Sequence, residues 1–226
     1  MQENIFESRK GASLAAAARI TELLQTRLDN NDDASLIVSG GTTPGQCLQA
    51  LAGAELDWNR VEVLLSDERW LPPDHDDSNE RLVRETLLVD NAAAARLRSV
   101  YAANGTLEER CDELQDPLPT LPFACALIGM GADGHFASLF PDAQRLELGL
   151  NVESGRLYIP VSTAASPYPR ISMTLAGISR SDEILLLIFG EEKLDVYRKA
   201  LASTNGFPVS KLLRQKRAPV TVYWAP

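Results

Sequence analysis

The sequence predicts an α/β fold in which an open, mostly parallel sheet is covered by helices on both faces. Short apolar runs of strand length alternate with helical stretches along the chain, which is typical of this class. The apolar runs are continuous rather than alternating, as expected for strands that are buried on both faces. A chain of 226 residues, 45% hydrophobic and 23% charged, is predicted to form one globular domain over residues 1–226.

The elements follow from these patterns in chain order. Apolar residues at helical spacing predict a first helix over 12–28, which ends in the polar cluster 29–33. The predicted strands are 35–39, 61–65, 123–128, 157–161, 183–189 and 219–224. The further predicted helices are 44–51, 79–88, 107–114 and 191–201. The proline-rich stretch 116–122 is expected to be a structural loop.

Composition excludes several classes of protein and partner. The net charge of −9 disfavours nucleic acid as a partner, and the basic stretch 211–217 is better explained as a solvated helix end. Three cysteines, Cys47, Cys111 and Cys125, are an odd number without a C-x-x-C pair, which predicts reduced core thiols. No apolar run approaches the roughly 18 residues of a membrane span, and the N-terminus lacks the apolar region of a signal peptide. We therefore expect a cytoplasmic protein without a membrane partner.

The run SLIVSGGTTPGQ at 35–46 is the first candidate for chemistry. A strand runs into Gly40 and Gly41, which allow close backbone approach, then into the hydroxyls of Thr42 and Thr43 before Pro44 opens a helix. This arrangement fits an anion-binding loop at a helix N-terminus. It is not a Walker A loop, because the spacing and the lysine are missing. A glycine turn with a threonine N-cap and no ligand explains the segment equally well.

The second candidate is the charged segment that follows the strand at 61–65. Asp67, Glu68 and Arg69 stand at the carboxyl end of that strand, where sheets of this kind bind ligands, and Arg69 could grip a phosphate with two hydrogen bonds. A solvated turn is the alternative. The acidic stretch 74–77 also suggests a metal, but it lacks the calcium-loop pattern and a second histidine, so no metal is predicted. Ser78 is predicted as the N-cap of the next helix.

The third candidate is ALIGMGADGHFASLFP at 126–141. Gly129, Gly131 and Gly134 match the dinucleotide pattern G-x-G-x-x-G, but Pro141 leaves no room for the helix that such a turn must open. The turn instead offers a histidine close to a carboxylate, Asp133 and His135. Histidine suits a general base near neutral pH, and a carboxylate can fix its tautomer. Free backbone N–H groups on the turn could stabilise an oxyanion, although a lone histidine is more often structural.

Two isolated cations complete the set of candidates. Arg170 enters a strand-like run in SPYPRISMT, and Lys193 stands just past a strand end, in the sequence GEEK at a helix start. A lysine is electrostatically disfavoured at a helix N-terminus, so an anionic ligand could compensate for it. Surface exposure explains each cation equally well.

Together these segments resemble the 6-phosphogluconolactonase family, which shares a Rossmann-like fold with the glucosamine-6-phosphate deaminases. The resemblance extends over nearly the whole chain. It rests, in order, on SGGTTP at 39–44, SDER at 66–69, DDSN at 76–79, GMGADGHFASLFP at 129–141, PRISMTL at 169–175, GEEK at 190–193 and PVSKLL at 208–213.

The resemblance implies a role for each matched position. His135 would be the general base that activates water, and Asp133 would support it. The remaining residues would bind substrate: the phosphate would lie against Gly40, Gly41, Thr42, Thr43, Arg69, Arg170 and Lys193, with Asp67 and Asn79 near the sugar hydroxyls and Gly131 in the turn that faces the carbonyl. The implied reaction is hydrolysis of 6-phospho-D-glucono-1,5-lactone in the oxidative pentose phosphate pathway. It needs no cofactor and no metal, and the protein is expected to be a monomer or a weak homo-oligomer.

Two alternatives remain to be weighed. A 6-phosphosugar deaminase-isomerase would carry a glutamate before the proline, where this chain has Phe140, and a tyrosine where it has Arg69. Both differences favour the lactonase. A non-catalytic sugar-phosphate sensor would keep the cations but would not need His135.

Overall fold

The chain forms two sheets that meet at one end of the molecule. The computed structural model describes residues 1–30, 33–115, 122–203 and 206–226, so the predicted loop 116–122 lies, except for Pro122, outside the described residues. The strands of the described part are β1 (Gln2–Ile5), β2 (Ala34–Val38), β3 (Val61–Leu65), β4 (Asp67–Arg69), β5 (Arg96–Arg98), β6 (Cys125–Ile128), β7 (Tyr158–Val161), β8 (Arg170–Met173), β9 (Ile184–Phe189) and β10 (Val220–Ala225). The helices are α1 (Arg9–Asp29), α2 (Gly45–Ala52), α3 (Asn79–Thr86), α4 (Leu107–Glu113), α5 (Leu146–Leu150), α6 (Leu175–Ile178), α7 (Glu191–Ala202) and α8 (Val209–Arg214).

The larger sheet has seven strands in the order β1-β10-β9-β6-β2-β3-β5, and all of its pairings are parallel. Its central strands are buried along their length because helices cover them; α1 packs on β2, β6, β9 and β10. The α/β class with a mostly parallel sheet and helices is confirmed. Each predicted helix and each predicted strand of this sheet is present, with ends shifted by up to three residues.

The predicted strand 157–161 forms, but its place in the fold was wrong. It is β7, which pairs antiparallel with β8 in a second, three-stranded sheet of order β4-β8-β7. The connection between β7 and β8 covers 162–169, which is too short for the crossover that a parallel pair needs. Continuous burial misled the prediction, because β7 is covered on both faces like a strand of a parallel sheet.

Helix starts follow local chemistry. The Ser8 side chain accepts a hydrogen bond from the Gly11 N–H at 3.1 Å and caps α1. Ser78 caps α3 as predicted, accepting from the Arg81 N–H at 3.2 Å. The basic stretch 211–217 begins in the last turn of α8, in agreement with the predicted helix end.

The three cysteines are buried free thiols, as predicted. Burial raises the pKa of Cys47 and of Cys111 to about 12, which keeps both thiols protonated and unreactive. None of the helices in the described part of the chain has the length and apolar content needed to cross a bilayer. One cluster of buried apolar side chains includes members of both sheets. The single domain over residues 1–226 and the cytoplasmic location stay predictions.

Candidate active site

A cavity of about 260 Å³ opens where the carboxyl ends of β9, β6, β2 and β3, four neighbouring strands of the large sheet, face the small sheet. Its lining comprises Ser39, Gly40, Gly41, Thr42, Thr43, Asp67, Arg69, Asn79, Gly129, Met130, Gly131, His135, Ala137, Arg170 and Lys193. Every predicted site residue therefore lines this cavity except Asp133, which forms a hydrogen bond with the lining residue His135. Four lining residues were not among the predicted site residues: Ser39, Gly129, Met130 and Ala137.

The turn after β6 holds the only histidine at this cavity. The Asp133 Oδ1 atom lies 2.5 Å from His135 Nδ1 and also accepts the His135 backbone N–H at 3.1 Å. Asp133 thus contacts the imidazole and caps the turn with the same oxygen. A Cβ atom on Gly131 would lie 2.3 Å from His135 Cε1, so only glycine leaves space for the ring at this position.

The backbone changes direction sharply just after the histidine. Ala137 lies in the left-handed region with φ of 48°, where a residue with a Cβ is rare. Its neighbours are held on both sides, because Phe136 and Leu139 form a bridge and the Ser138 N–H donates to Ser172 Oγ at 3.1 Å. Strain of this kind persists where the surrounding structure imposes it, and it often occurs at functional sites.

The turn was predicted to offer free backbone N–H groups to an oxyanion, and for Gly131 this prediction is wrong. The Gly131 N–H donates to the His135 carbonyl at 2.9 Å, which closes the turn and uses up that donor. Ala132 and Asp133 are exposed and do not line the cavity. The turn holds the histidine, and a larger set of free N–H groups lines the cavity on another loop.

Those free donors belong to the loop between β2 and α2. Within the described residues, no acceptor is found for the N–H groups of residues 40–43, all of which line the cavity. Gly41 has φ of +85°, and a Cβ on Gly40 would lie 1.9 Å from Asn79 Oδ1, so both positions require glycine. The N-cap of α2 is Pro44, without a side-chain hydrogen bond, which contradicts the threonine N-cap considered from the sequence. The loop has the geometry of an anion-binding loop.

Asp67 lies at the centre of a buried polar network. Its carboxylate accepts from Ser66 Oγ at 3.1 Å and from Ser138 Oγ at 2.5 Å, and Arg170 Nη1 lies 3.5 Å away. The Asn79 side-chain amide donates to the Asp67 carbonyl at 2.9 Å. The network joins the ends of three segments that are far apart in sequence, and it fixes the polar wall of the cavity.

Glu68 is a residue whose importance the sequence analysis missed. Its buried carboxylate accepts from the backbone N–H groups of Arg69, Asn79 and Glu80 at 2.7, 2.8 and 2.7 Å, and from Ser78 Oγ at 3.0 Å. Burial raises the pKa of the Glu68 carboxyl, and the four hydrogen bonds oppose that shift. The side chain ties β4 to the N-terminus of α3 and so holds Asn79 at the cavity. Ser78 follows Glu68 by ten residues in the chain, so the sequence did not indicate that the two side chains would form a hydrogen bond.

The side chain of Arg69 bridges the cavity and the loop before α3. Its Nη1 donates to the Asp77 carbonyl at 2.5 Å, while its buried Nε has no hydrogen-bond partner among the described residues. The nearby acidic stretch 74–77 is engaged in other contacts: Asp76 pairs with Arg81, and His75 Nδ1 accepts the Asp77 N–H at 3.0 Å. No group of three potential metal ligands is found among the described residues.

Arg170 reaches the cavity from the three-stranded sheet, and Lys193 reaches it from the helix that follows β9 of the larger sheet. Arg170 is the first residue of β8, and its Nε donates to Ser166 Oγ at 3.0 Å. Burial lowers the pKa of Arg170, and Asp67 acts in the opposite direction. Lys193 lies in the first turn of α7, and burial lowers its pKa as well. Among the described residues, no ion-pair or hydrogen-bond partner is found for Lys193.

The fold and this site define an α/β enzyme whose cation-lined cavity lies at the carboxyl ends of a parallel sheet, next to a carboxylate-supported histidine. A family model described as glucosamine-6-phosphate isomerases/6-phosphogluconolactonase matches residues 7–224. The chain belongs to this family.

Relatives of known name support the assignment. The chain is 36% identical to a 6-phosphogluconolactonase of Rhizobium meliloti, over 99% of this chain and 98% of that protein. It is 39% identical to a 6-phosphogluconolactonase of Pseudomonas aeruginosa, over 93% of this chain and 89% of the other. A solved 6-phosphogluconolactonase from Shewanella baltica superposes with a TM-score of 0.93 at 36% identity, covering 100% of this chain and 98% of that chain.

Proposed function

We propose that the chain hydrolyses 6-phospho-D-glucono-1,5-lactone to 6-phospho-D-gluconate, as a step of the oxidative pentose phosphate pathway. The observation that carries this proposal is the His135–Asp133 pair at the wall of a cavity that also holds three cations. A base next to an anion-binding surface is what hydrolysis of a phosphorylated lactone requires. The names of the relatives support the same substrate.

In this mechanism His135 is the general base. Asp133 holds Nδ1, so Nε2 is the nitrogen left to take a proton from water. The water oxygen bonds to C1 of the lactone and forms a tetrahedral intermediate. The bond between C1 and the ring oxygen then breaks, and the ring oxygen takes the proton from His135. The negative charge develops on the carbonyl oxygen bound to C1, and a hydrogen-bond donor or cation at the cavity wall close to His135 would stabilise it.

The phosphate of the substrate would lie against the loop 40–43 and the cations Arg69, Arg170 and Lys193. The loop supplies N–H groups without a partner, and Gly40, Gly41, Thr42 and Thr43 all line the cavity. The buried Nε of Arg69 is a further free donor. Binding energy from this remote group would orient the lactone carbonyl toward His135.

The sugar hydroxyls would lie near Asp67 and Asn79, both of which line the cavity. The Asn79 amide nitrogen is engaged with the Asp67 carbonyl, so its Oδ1 is the atom left for a hydroxyl. The Asp67 carboxylate accepts a hydrogen bond from Ser138 and also lies close to Arg170. It therefore has a second role, which is to hold the Arg170 side chain. Gly131 contributes by leaving space for the base.

The direct test is proton release from freshly generated 6-phosphogluconolactone. Rapid release above the uncatalysed rate is expected, with gluconolactone that lacks the phosphate as a poor substrate. Glucosamine 6-phosphate serves as the negative control, and ammonia release from it would instead indicate the deaminase-isomerase. Phe140 before the proline argues against that second activity.

Replacement of His135 separates the enzyme from a sensor on the same fold. His135→Ala should lower kcat by about 10²- to 10⁴-fold, the usual contribution of a general base. The affinity for 6-phosphogluconate, measured by calorimetry, should change little. Undiminished hydrolysis in this variant would exclude the proposed mechanism.

A further inference from the structure

Phe140 contacts two of the cavity-lining groups without lining the cavity itself. Its ring centroid lies 4.1 Å from that of the His135 imidazole, with 34° between the planes. The Arg170 guanidinium carbon lies over the same ring, 5.3 Å from its centroid. Phe140 is buried, with 6% of its surface exposed. It therefore acts on the site only through these two neighbours.

The hydrogen bond between His135 Nδ1 and the accepting Asp133 Oδ1 does not by itself fix the imidazole. A bond at Nδ1 holds one corner of the ring and leaves rotation about that contact. The face contact with Phe140 restricts the plane of the ring, and the missing Cβ of Gly131 leaves space beside it. A tilted ring pair at this distance is in van der Waals contact, which is attractive as well as restrictive. Together the three residues determine where Nε2 points.

Arg170 depends on the same ring. Its hydrogen bonds run to Ser166 Oγ at 3.0 Å and, more weakly, to Ser138 Oγ at 3.3 Å and to Asp67 Oδ2 at 3.5 Å. An aromatic face attracts a guanidinium without neutralising it, so the cation stays available to an anion. A carboxylate at position 140 would pair with Arg170 and also place a second negative charge beside His135.

We propose that Phe140 is a positioning residue shared by the two halves of the site: its ring sets the plane of the His135 imidazole and the direction of the Arg170 guanidinium. The apolar ring supports base and cation together without adding a charge to either. This inference rests on the proposed function for its kinetic consequence, but its structural part can be measured without any substrate.

The test compares Phe140→Leu and Phe140→Tyr with a matched control elsewhere in the fold. Leucine keeps an apolar side chain and removes the ring, whereas tyrosine keeps the ring. The control is Phe123→Leu, because Phe123 is fully buried and carries Arg180 at 5.7 Å from its ring centroid, at the opposite end of β6 from the cavity. It has the same kind of contact without the site.

The kcat and KM values measured with the lactone should distinguish the variants. Phe140→Leu should lower kcat by about tenfold or more, since a small misplacement of a catalytic group costs up to about 100-fold, and it should also raise KM several-fold. Phe140→Tyr should restore both constants to within about threefold. Phe123→Leu should lose thermal stability with both constants unchanged. Equal kinetics for Phe140→Leu and Phe123→Leu would overturn the inference.

A second readout does not depend on activity. The chain has two histidines, so a His75→Gln variant assigns the ring resonances of a protein labelled with ¹³C at histidine. Loss of the Phe140 ring current should move the His135 Cε1–H resonance, and Phe140→Leu should weaken the binding of 6-phosphogluconate in calorimetry. An unmoved resonance with unchanged affinity would reject the inference even in an active enzyme. A wild-type chain inactive on the lactone would reject the proposed function instead. Phe140→Met serves the same comparison if the leucine variant does not fold.

Discussion

At the residue scale, the placement of His135 depends on the residues around it. A single oxygen of Asp133 accepts the His135 backbone N–H and lies within hydrogen-bond distance of His135 Nδ1, so one carboxylate holds both the turn and one corner of the ring. Gly131 makes the arrangement sterically possible. The glycines of this turn match a nucleotide pattern in the sequence, but in the structure no helix begins until α5, and the turn holds a histidine instead.

The charge of Asp133 should matter for turnover. In Asp133→Asn the amide can keep a hydrogen bond but loses the charge that stabilises the protonated imidazole. We expect kcat to fall by roughly 10²- to 10⁴-fold with KM nearly unchanged. The control is Asp142→Asn, whose carboxylate accepts from Thr163 Oγ1 at 2.5 Å on the exposed surface. A kcat within twofold of wild type for Asp133→Asn would show that the carboxylate is not needed.

Lys193 should give the site an alkaline limit. Burial lowers its pKa, so the ammonium loses its proton at a lower pH than an ordinary lysine does, and the affinity for an anion falls as the pH rises through that value. Calorimetry with 6-phosphogluconate between pH 8 and 10.5 should show about a tenfold loss, because a hydrogen bond to a charged group contributes about 1.5–3 kcal/mol.

The matched variant is Lys193→Arg, which stays charged throughout this range. Its affinity for 6-phosphogluconate should remain flat with pH. An equally steep loss in Lys193→Arg would assign the alkaline limit to another group.

At the scale of elements, the short strand β4 and the helix α3 carry a large part of the site. Glu68 joins them through four accepted hydrogen bonds, and Asp67 and Asn79 project from the joined ends. The placement of two cavity residues thus depends on a third that does not touch the cavity.

Glu68→Gln should therefore be strongly destabilising for its size. The amide nitrogen of glutamine cannot accept, so buried donors lose their partner, at a cost of about 1–3 kcal/mol. We expect the free energy of unfolding in urea at pH 8 to fall by about 2 kcal/mol. Glu85→Gln is the control, because Glu85 lies on α3, the helix that Glu68 contacts, and pairs with Arg81 on the surface at 2.9 Å. It should change stability by no more than about 0.5 kcal/mol.

The elements also show what the sequence could predict. The five inner strands of the large sheet are buried apolar runs, and their alternation with helices indicated the fold class. The three-residue strands β4 and β5 carry charged residues, and the edge strand β1 is mostly exposed, so none of them has a buried apolar run to detect. The direction of pairing of β7 was not readable either, because burial on both faces occurs in either kind of sheet.

The site was more predictable than the small sheet. Glycines, charges and a histidine just past strand ends indicated the cavity, because the carboxyl ends of parallel strands meet at one edge. The supporting contacts of Ser138, Glu68 and Phe140 depend on the packing of distant segments. Glu68 was visible in the sequence only as one of the charges after β3, and Phe140 only as the residue where a deaminase-isomerase would carry a glutamate, so neither supporting contact was indicated.

On the scale of the whole molecule, an acidic protein with a net charge of −9 is proposed to bind an anion. The cations are collected from β4, β8 and α7, so no local basic run was visible in the sequence. Low-dielectric walls strengthen their local field over that of the distant surface carboxylates.

Ligand binding should stabilise the whole fold. At 100 times its dissociation constant, 6-phosphogluconate should add about 2.7 kcal/mol to the free energy of unfolding. For a chain of this size the Tm should rise by about 5–10 °C in a thermal scan. The same concentration of gluconate, without a phosphate, should leave the Tm unchanged, and Arg170→Ala should lose most of the shift. An equal shift with gluconate would argue against a phosphate site.

The short connection from β3 to β4, which joins the two sheets, has a consequence for redesign. The chain leaves β3 at Leu65 and enters β4 at Asp67, so a single serine separates the two sheets at that point. Arg69 and Arg170 stand opposite each other in the three-stranded sheet, whereas His135 and Lys193 follow strands of the larger one. Substitutions in the connection 162–169 of the small sheet should therefore alter the binding of the phosphate while the His135–Asp133 pair stays in place.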